Sequence, residues 1–385
     1  MTAHVKHGGI IMIKIKLKYQ ILIIFISIVF SPSLLAGNTP IKNNGKKWRI
    51  GYYEGGPYSD YTDTMRTLIK GLIDLKWIDA RTLPDMHEKG TKAYWKWLTQ
   101  CNSSYLSFKL ENSYSANWNT QKRNTIKQTI IESLRNKKID LILAMGTWAG
   151  KDLANNQHAV PVLVLSTSDP LRAGIIKSIN NSGFEHVTAR IDPNRYFRQI
   201  RMFHRIVGFK TLGVALENTT DGHLYSAMNE IQAVSKERGF KIITCNVLDT
   251  NVDHQESDRS CLECYEQLAR KVDAIYVTAL ACVDRRLNEI VNIFKHYKTP
   301  SFSMLGSKFV KKGLLLSISS DSGYNELGKY LADKIARILN GTKPVELNQV
   351  FEDPLDIAVN NQTARQIGFN VPKSILSIAT EIYEK

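Results

Sequence analysis

Residues 140–156 read DLILAMGTWAGKDLANN and residues 160–170 read VPVLVLSTSDP. An apolar run over 140–145 ends in a glycine turn, passes into a helical window over 149–155, and returns to a second apolar run over 160–166. Short β-branched runs alternating with amphipathic helical windows mark a parallel sheet with helices on its faces. Each run closes on polar residues with turn character, Gly146-Thr147-Trp148 after the first and Ser166-Thr167-Ser168-Asp169-Pro170 after the second. In open α/β sheets the carboxyl ends of the strands are where ligands sit.

Working outward, the same alternation fills the chain. Ahead of this unit it predicts strands over 48–53 and 106–111 and helices over 61–75 and 120–136. Behind it, 187–191 leads into a second series, with helices over 194–206, 224–238, 260–272 and 283–297 and strands over 211–216, 241–247, 274–278 and 301–304. A strand over 314–319 and a long helix over 324–339 follow, the helix stopped by Asn340-Gly341. Strand-like 345–351, a short strand over 357–359 and a last helix or two complete the chain. The expected fold class is α/β, with two Rossmann-like doubly wound parallel-sheet lobes joined by a multi-strand hinge. The N-terminal lobe is expected over 48–186 and 320–345, after a linker at 37–47, and the C-terminal lobe over 187–319 and 346–385. A chain of 385 residues is too long for one compact core.

Lys14, Lys16 and Lys18 precede an apolar run over 21–30 and a small-residue stretch ending in Ala36-Gly37, the pattern of a secretory signal peptide over 1–36. Ten apolar residues are about half of what a membrane-crossing helix needs. No cysteine lies near Ala36, so a protein free in the periplasm is expected, without a lipid anchor. Of the formal charge of +15, four lysines (Lys6 and the three above) precede the expected cleavage site, leaving +11. The basic residues are scattered and form no block, which argues against nucleic acid and is compatible with anionic surfaces or partners.

The five cysteines are Cys101, Cys245, Cys261, Cys264 and Cys282, an odd number that leaves at least one unpaired. Cys261 and Cys264 are the close pair, read as a structural disulfide or two ordinary thiols, since zinc would need two further ligands at motif spacing. Gly146 to Lys151 resembles a phosphate loop, but its glycines are one residue too close and Asp152 stands where a Ser or Thr would hold magnesium. No dinucleotide, zinc-protease or serine-hydrolase motif occurs, so neither an enzyme nor a metal or other cofactor is expected.

The candidate ligand-binding residues lie in turns after predicted strands: Glu54 and Tyr58 after the first, Gly146, Thr147 and Trp148, then Thr167, Ser168 and Asp169. The second lobe supplies Glu217, Asn218 and Thr278, and Asp321 stands ahead of the long helix. Loops facing each other from two lobes form a cleft, a usual ligand site. The same residue types cap helices and allow tight turns whether or not they bind anything. Trp148 and Tyr58 differ, because a large aromatic on a loop must pack or bind, and Trp148 could equally plug the lobe core.

The stretch 140–176 resembles the ABC transporter substrate-binding family whose characterised members include tryptophan and other aromatic amino-acid binders. The resemblance extends through KTLGVA (210–215), VDAIYV (272–277), SKFVKKGLL (307–315), YNELG (324–328), ILNGTKP (338–344) and NQTARQIGF (361–369). It implies the type I periplasmic binding protein fold, three crossovers, and hinge closure on a small ligand. Departures fall in the turns. Trp148 replaces the proline of the family's Gly-Thr-Pro, Glu217 to Thr220 replace an Asn-Pro loop, and Thr278-Ala-Leu280 replaces a polar turn. If Thr147, Thr167 and Ser168 keep their family places, they would hold the polar end of the ligand, with Trp148 or Tyr58 stacked on an apolar part. The implied function is capture of a small solute, an amino acid or similar molecule, by a monomer that serves an inner-membrane ABC permease. A membrane-bound sensor kinase or cyclase is the alternative partner.

Overall fold

A computed structural model describes residues 37–250, 252–318 and 321–384. The expected signal peptide lies outside the described residues.

The first sheet has five parallel strands in the order β2-β1-β3-β4-β5: β1 (Trp48–Glu54), β2 (Leu106–Ser115), β3 (Leu141–Met145), β4 (Val162–Leu165) and β5 (Val187–Ala189). β3 and β4 are buried at every position, as central strands covered on both faces should be. Helices α1 (Ser59–Asp74), α2 (Gly90–Gln100), α3 (Thr120–Arg135) and α4 (Gly146–Leu153) accompany this sheet. The second sheet is ordered β12-β11-β10-β9-β8-β6-β7. Its strands are β6 (Thr211–Leu216), β7 (Lys241–Asn246), β8 (Ala274–Val277), β9 (Ser301–Ser303), β10 (Leu316–Ser317), β11 (Ala358–Asn360) and β12 (Glu381–Tyr383), with β10 and β11 antiparallel. Around it run α5 (Arg195–Val207), α6 (Thr220–Tyr225), α7 (Met228–Arg238), α8 (His254–Ala269), α9 (Ala281–His296) and α10 (Ser307–Lys311). After α11 (Asp321–Leu339) come α12 (Asn361–Ile367) and α13 (Lys373–Leu376). The apolar face of α5 shows the rule at work: Tyr196, Ile200, Phe203 and Ile206 are buried at helical spacing against the second core.

The chain passes between the sheets three times. β5 leads into α5, β10 leads into α11, and the segment after α11 returns to β11. α11 packs on the first lobe, where the Thr67 hydroxyl of α1 donates to the Tyr324 carbonyl. The first and third crossovers lie side by side. Ile191 N–H donates to the Gln349 carbonyl at 2.8 Å and Phe351 N–H to the Ile191 carbonyl at 3.0 Å. The buried Gln349 amide reaches back to the carbonyls of Ser178 and Ile179, so the two crossing segments are anchored to the first lobe.

Several expectations need correction. Val187–Ala189, placed in the second lobe, pairs with β4 and forms an edge of the first sheet. The stretch 345–351 makes one bridge, Ile191 to Val350, and no strand. The helix expected over 224–238 breaks at Ala227, whose φ is +56°, into α6 and α7. α2 was not anticipated; its Tyr94, Trp95 and Leu98 fill the first core. Cys261 and Cys264 are bonded, though not to each other. Cys264 pairs with Cys245 of β7 and Cys261 with Cys282 of α9. Three residues apart, the two cysteines share one face of α8 and tie it to a strand on one side and a helix on the other. Cys101 stays a thiol, its pKa pushed up to about 11 by burial.

Candidate functional site

The carboxyl ends of β1, β3 and β4 face those of β6, β7 and β8, and the space between them is a cleft with two adjoining halves. The halves share Tyr58, Ser166, Ser168 and Ala279. The outer half is bounded by Tyr58, Tyr61, Trp118 and Thr147 from the first lobe and by Glu217, Tyr225, Asp249, Thr250 and Thr278 from the second. The inner half runs to the hinge and meets Asp60, Thr167, Arg190, Arg195, Tyr324 and Asp353.

The aromatic side is built from the first strand-to-helix turn. Gly55 and Gly56 lie flat against the Trp118 indole, and a Cβ on either would come within 2.7 Å of that ring. Trp118 donates its Nε1 to the Pro57 carbonyl at 3.0 Å. Tyr61 meets Tyr58 edge-on at 5.3 Å and Trp118 at 6.3 Å. The Tyr58 hydroxyl is buried without a hydrogen-bond partner, and burial pushes its pKa well above the ordinary phenol value. The Thr167 hydroxyl is likewise buried and unpartnered. Buried polar atoms normally find partners, so two orphaned hydroxyls at one cleft, beside the unbonded Nε atoms of Arg190 and Arg195 in its inner half, mark a place where a ligand's polar atoms fit.

On the second lobe, Glu217 Oε1 accepts from the Thr250 N–H at 3.0 Å and from its hydroxyl at 2.5 Å. Asp249 accepts from the first turn of α9, the Ala281 and Cys282 N–H groups at 2.9 and 3.3 Å. Burial raises the Asp249 pKa against those bonds. At the hinge, Arg190 and Arg195 both pair with Asp353. Burial disfavours that carboxylate, but the guanidinium groups overcome it and hold its pKa below the usual range.

Side chains also bridge the lobes at the rim. Ser59, opening α1, donates its N–H and hydroxyl to Asp284 of α9 at 3.1 and 2.8 Å. Lys308 of α10 reaches Asp63 of α1 at 2.6 Å, and His87 Nε2 stands 3.0 Å from the same carboxylate. Lys151 meets Asp221 at 2.5 Å and Arg172 meets Glu230 at 2.9 Å.

Of the residues picked from sequence, Tyr58, Thr147, Thr167, Ser168, Glu217 and Thr278 converge on the cleft. The others do not. Glu54 is buried behind β1, accepting from the Tyr52 and Thr91 hydroxyls at 2.6 and 2.8 Å. Gly146 is a close-approach position, with φ +85° and the Tyr61 hydroxyl where a Cβ would be. Trp148 does not line the cleft but meets a residue that does: it packs edge-on to Trp118 at 5.5 Å with the Arg123 guanidinium 4.5 Å over its ring, and it hydrogen-bonds the Tyr225 side chain of the second lobe. Asp169 caps the following turn through the Leu171 and Arg172 N–H groups, both at 2.9 Å. Asn218 is exposed outside the cleft, bonded to Asn246 and His223. Asp321 begins α11, and its side chain lies outside the described residues. Sequence reasoning missed Tyr61, Trp118, Tyr225, Asp249 and the hinge set of Arg190, Arg195, Tyr324 and Asp353. Among the described residues, no three His, Cys, Asp or Glu side chains cluster as metal ligands, and no helix is long and apolar enough to cross a membrane.

Residues 108–383 match the sequence profile of the ABC transporter substrate binding proteins. The chain belongs to this family. A curated relative, the tyrosine-binding protein of Clostridioides difficile (strain R20291), is 20% identical over 251 residues, covering 65% of this chain and 69% of its own. Among solved structures, the ABC domain of Streptococcus pneumonia in complex with L-Trp is similar at TM-score 0.67 and 18% identity, over 88% of this chain and all of that one. A conserved domain protein of Vibrio cholerae is similar at TM-score 0.66 and 20% identity, with the same coverage. These likenesses show the fold. The expected type I periplasmic binding architecture, two sheets with three crossovers, is therefore that of this substrate-binding protein.

Proposed function

We propose that this substrate-binding protein captures a small organic solute, an amino acid or a molecule of similar size, between its lobes and delivers it to an inner-membrane ABC permease. The observation that carries the reading is the pair of orphaned hydroxyls, Tyr58 and Thr167, at a cleft whose rim is bridged by lobe-to-lobe bonds. A solute with polar atoms satisfies the orphans and gains from exclusion of water as the lobes meet, so its binding energy favours the closed arrangement. The relatives named for tyrosine and crystallised with L-Trp make an amino acid a reasonable solute. Export through the N-terminal segment and a periplasmic, monomeric protein complete the proposal. Two disulfides in the second lobe support it, because such bonds persist in oxidising compartments.

The test is a thermal-shift screen of purified protein against amino acids, amines, purines, sugars and organic anions. Capture predicts a saturable rise in Tm with one chemical class, worth about 2.7 kcal/mol of stability at a hundredfold excess over Kd. That rise should shrink in Thr167→Val, which removes an orphaned hydroxyl at nearly constant volume. No response across all classes would count against capture.

A further inference from the structure

The charge of the cleft opposes that of the protein. The chain as a whole carries +15. Its cleft is lined by four carboxylates, Asp60, Glu217, Asp249 and Asp353, against two guanidinium groups, Arg190 and Arg195, a formal balance of −2. Both guanidiniums lie in the inner half and pair with Asp353, though the buried Nε of each makes no hydrogen bond, while the outer half has no basic lining residue among the described residues. A basic chain that concentrates acid in the cleft between these strand ends places an attractive potential for cations there, since low-dielectric walls focus the field.

Aromatic faces reinforce the acid. Tyr58, Tyr61 and Trp118 line one side of the outer half and Tyr225 the opposite side, with Glu217 beside them. Ring faces attract cations, best for tryptophan and more strongly when the cation is desolvated. Both bonds that Glu217 accepts fall on Oε1 and come from Thr250, so its charge is oriented by the protein and not cancelled by a base.

Resting on the capture reading above, we propose that the recognised group of the solute is a cationic amine, held in the outer half among Tyr58, Tyr61, Trp118 and Tyr225 with Glu217 as its counter-charge. A carboxylate on the solute is not required. Tyrosine-like compounds stripped of one group at a time separate the two demands: tyramine keeps the ammonium, 3-(4-hydroxyphenyl)propionate keeps the carboxylate, and tyrosine has both.

Calorimetric titration of the purified protein with these three compounds is the experiment. Tyramine should bind within about tenfold of tyrosine, and the propionate should be weaker than tyramine by about a hundredfold or more. Glu217→Gln, which retains an oxygen for Thr250, should weaken tyramine about tenfold with an unchanged circular dichroism spectrum and Tm. Trp118→Leu is a second, independent probe with the same expected direction. Binding of the propionate without tyramine, or tyramine affinity unchanged in both variants, would overturn the cation assignment while leaving capture standing. If none of the three binds but another class in the screen does, the assignment again fails alone. Silence from every class would defeat capture itself.

Discussion

Lys334 offers the sharpest quantitative check on the packing at the hinge. It lies on α11 at 2% exposure, its ammonium donating to the Asn348 carbonyl and sitting 4.8 Å from the Tyr330 ring centroid. Burial, with Arg337 adding to it, drops its pKa from 10.5 to about 7. The unfolded chain binds a proton here up to pH 10.5, whereas the folded chain releases it above about 7. Stability therefore rises with pH across that window, and below it the folded state carries the full penalty. At 1.36 kcal/mol per unit, 3.5 units correspond to about 5 kcal/mol. Lys334→Met removes that penalty and one of two donors to the Asn348 carbonyl, which keeps the Tyr330 hydroxyl at 2.9 Å, so the lost bond costs about 0.5–1.5 kcal/mol. The net expectation is a gain of about 3–4 kcal/mol at pH 6 that falls to about zero near pH 10. Urea unfolding of both proteins at pH 6, 8 and 10 reads this directly, and the difference between pH values is the decisive quantity because packing effects cancel in it. A gain from Lys334→Met that does not change with pH would refute the buried-ammonium account.

Gly146→Ala should lower stability by at least about 2 kcal/mol, from a left-handed φ and the Tyr61 hydroxyl 1.8 Å from the new Cβ; thermal denaturation checks it, and Tyr61→Phe in the same chain should restore part of the loss. Reducing Cys245–Cys264 and Cys261–Cys282, which close loops of 19 and 21 residues, should cost about 3 kcal/mol each, read as a fall in Tm with dithiothreitol that is absent in the alanine variants of these cysteines. Cys101→Ser should leave that response unchanged. Asp63→Asn, which removes the charge shared by Lys308 and His87, should enlarge the ligand-free radius of gyration in X-ray scattering without lowering Tm by more than a few degrees.

What the sequence disclosed about the site followed from locality. Thr147, Ser168, Glu217 and Thr278 each follow within three residues of a strand's end, and a parallel sheet brings every such end to the same edge whatever the rest of the chain does. Trp148 had the right position, but it backs the lining rings of Trp118 and Tyr225 and does not line the cleft itself. It is the third residue of α4, and only the fold around Trp118, Arg123 and Tyr225 determines where its side chain packs. Glu54 failed for a related reason, since the last residue of β1 points its carboxyl into a buried pocket closed by Thr91 of the unanticipated α2. The hinge set was beyond local pattern altogether: Arg190, Arg195 and Asp353 meet because two crossovers more than a hundred residues apart run side by side. The cysteines tell the same story, since spacing suggested a link between Cys261 and Cys264, whereas a single helical face presents them to different neighbours.

In the proposed reading, the rim and the interior of the cleft divide the work of closure between them. Each rim ion pair has at least one side chain with a fifth or more of its surface in water, such as Lys308 at 20%, Lys151 at 32% and Arg172 at 41%. Pairs of this kind contribute about 0–1 kcal/mol apiece and are screened by salt. Inside, the buried hydroxyls of Tyr58 and Thr167 each cost about 1–3 kcal/mol when nothing meets them. Without a solute the two contributions nearly offset, so in the proposed reading an empty cleft has little preference for staying shut. A solute that meets both hydroxyls and places an ammonium against Glu217 removes the internal cost and leaves the rim bonds in surplus. On that proposal the solute, and not the rim, decides when the lobes close, and a permease that recognises the closed surface would meet mainly loaded protein.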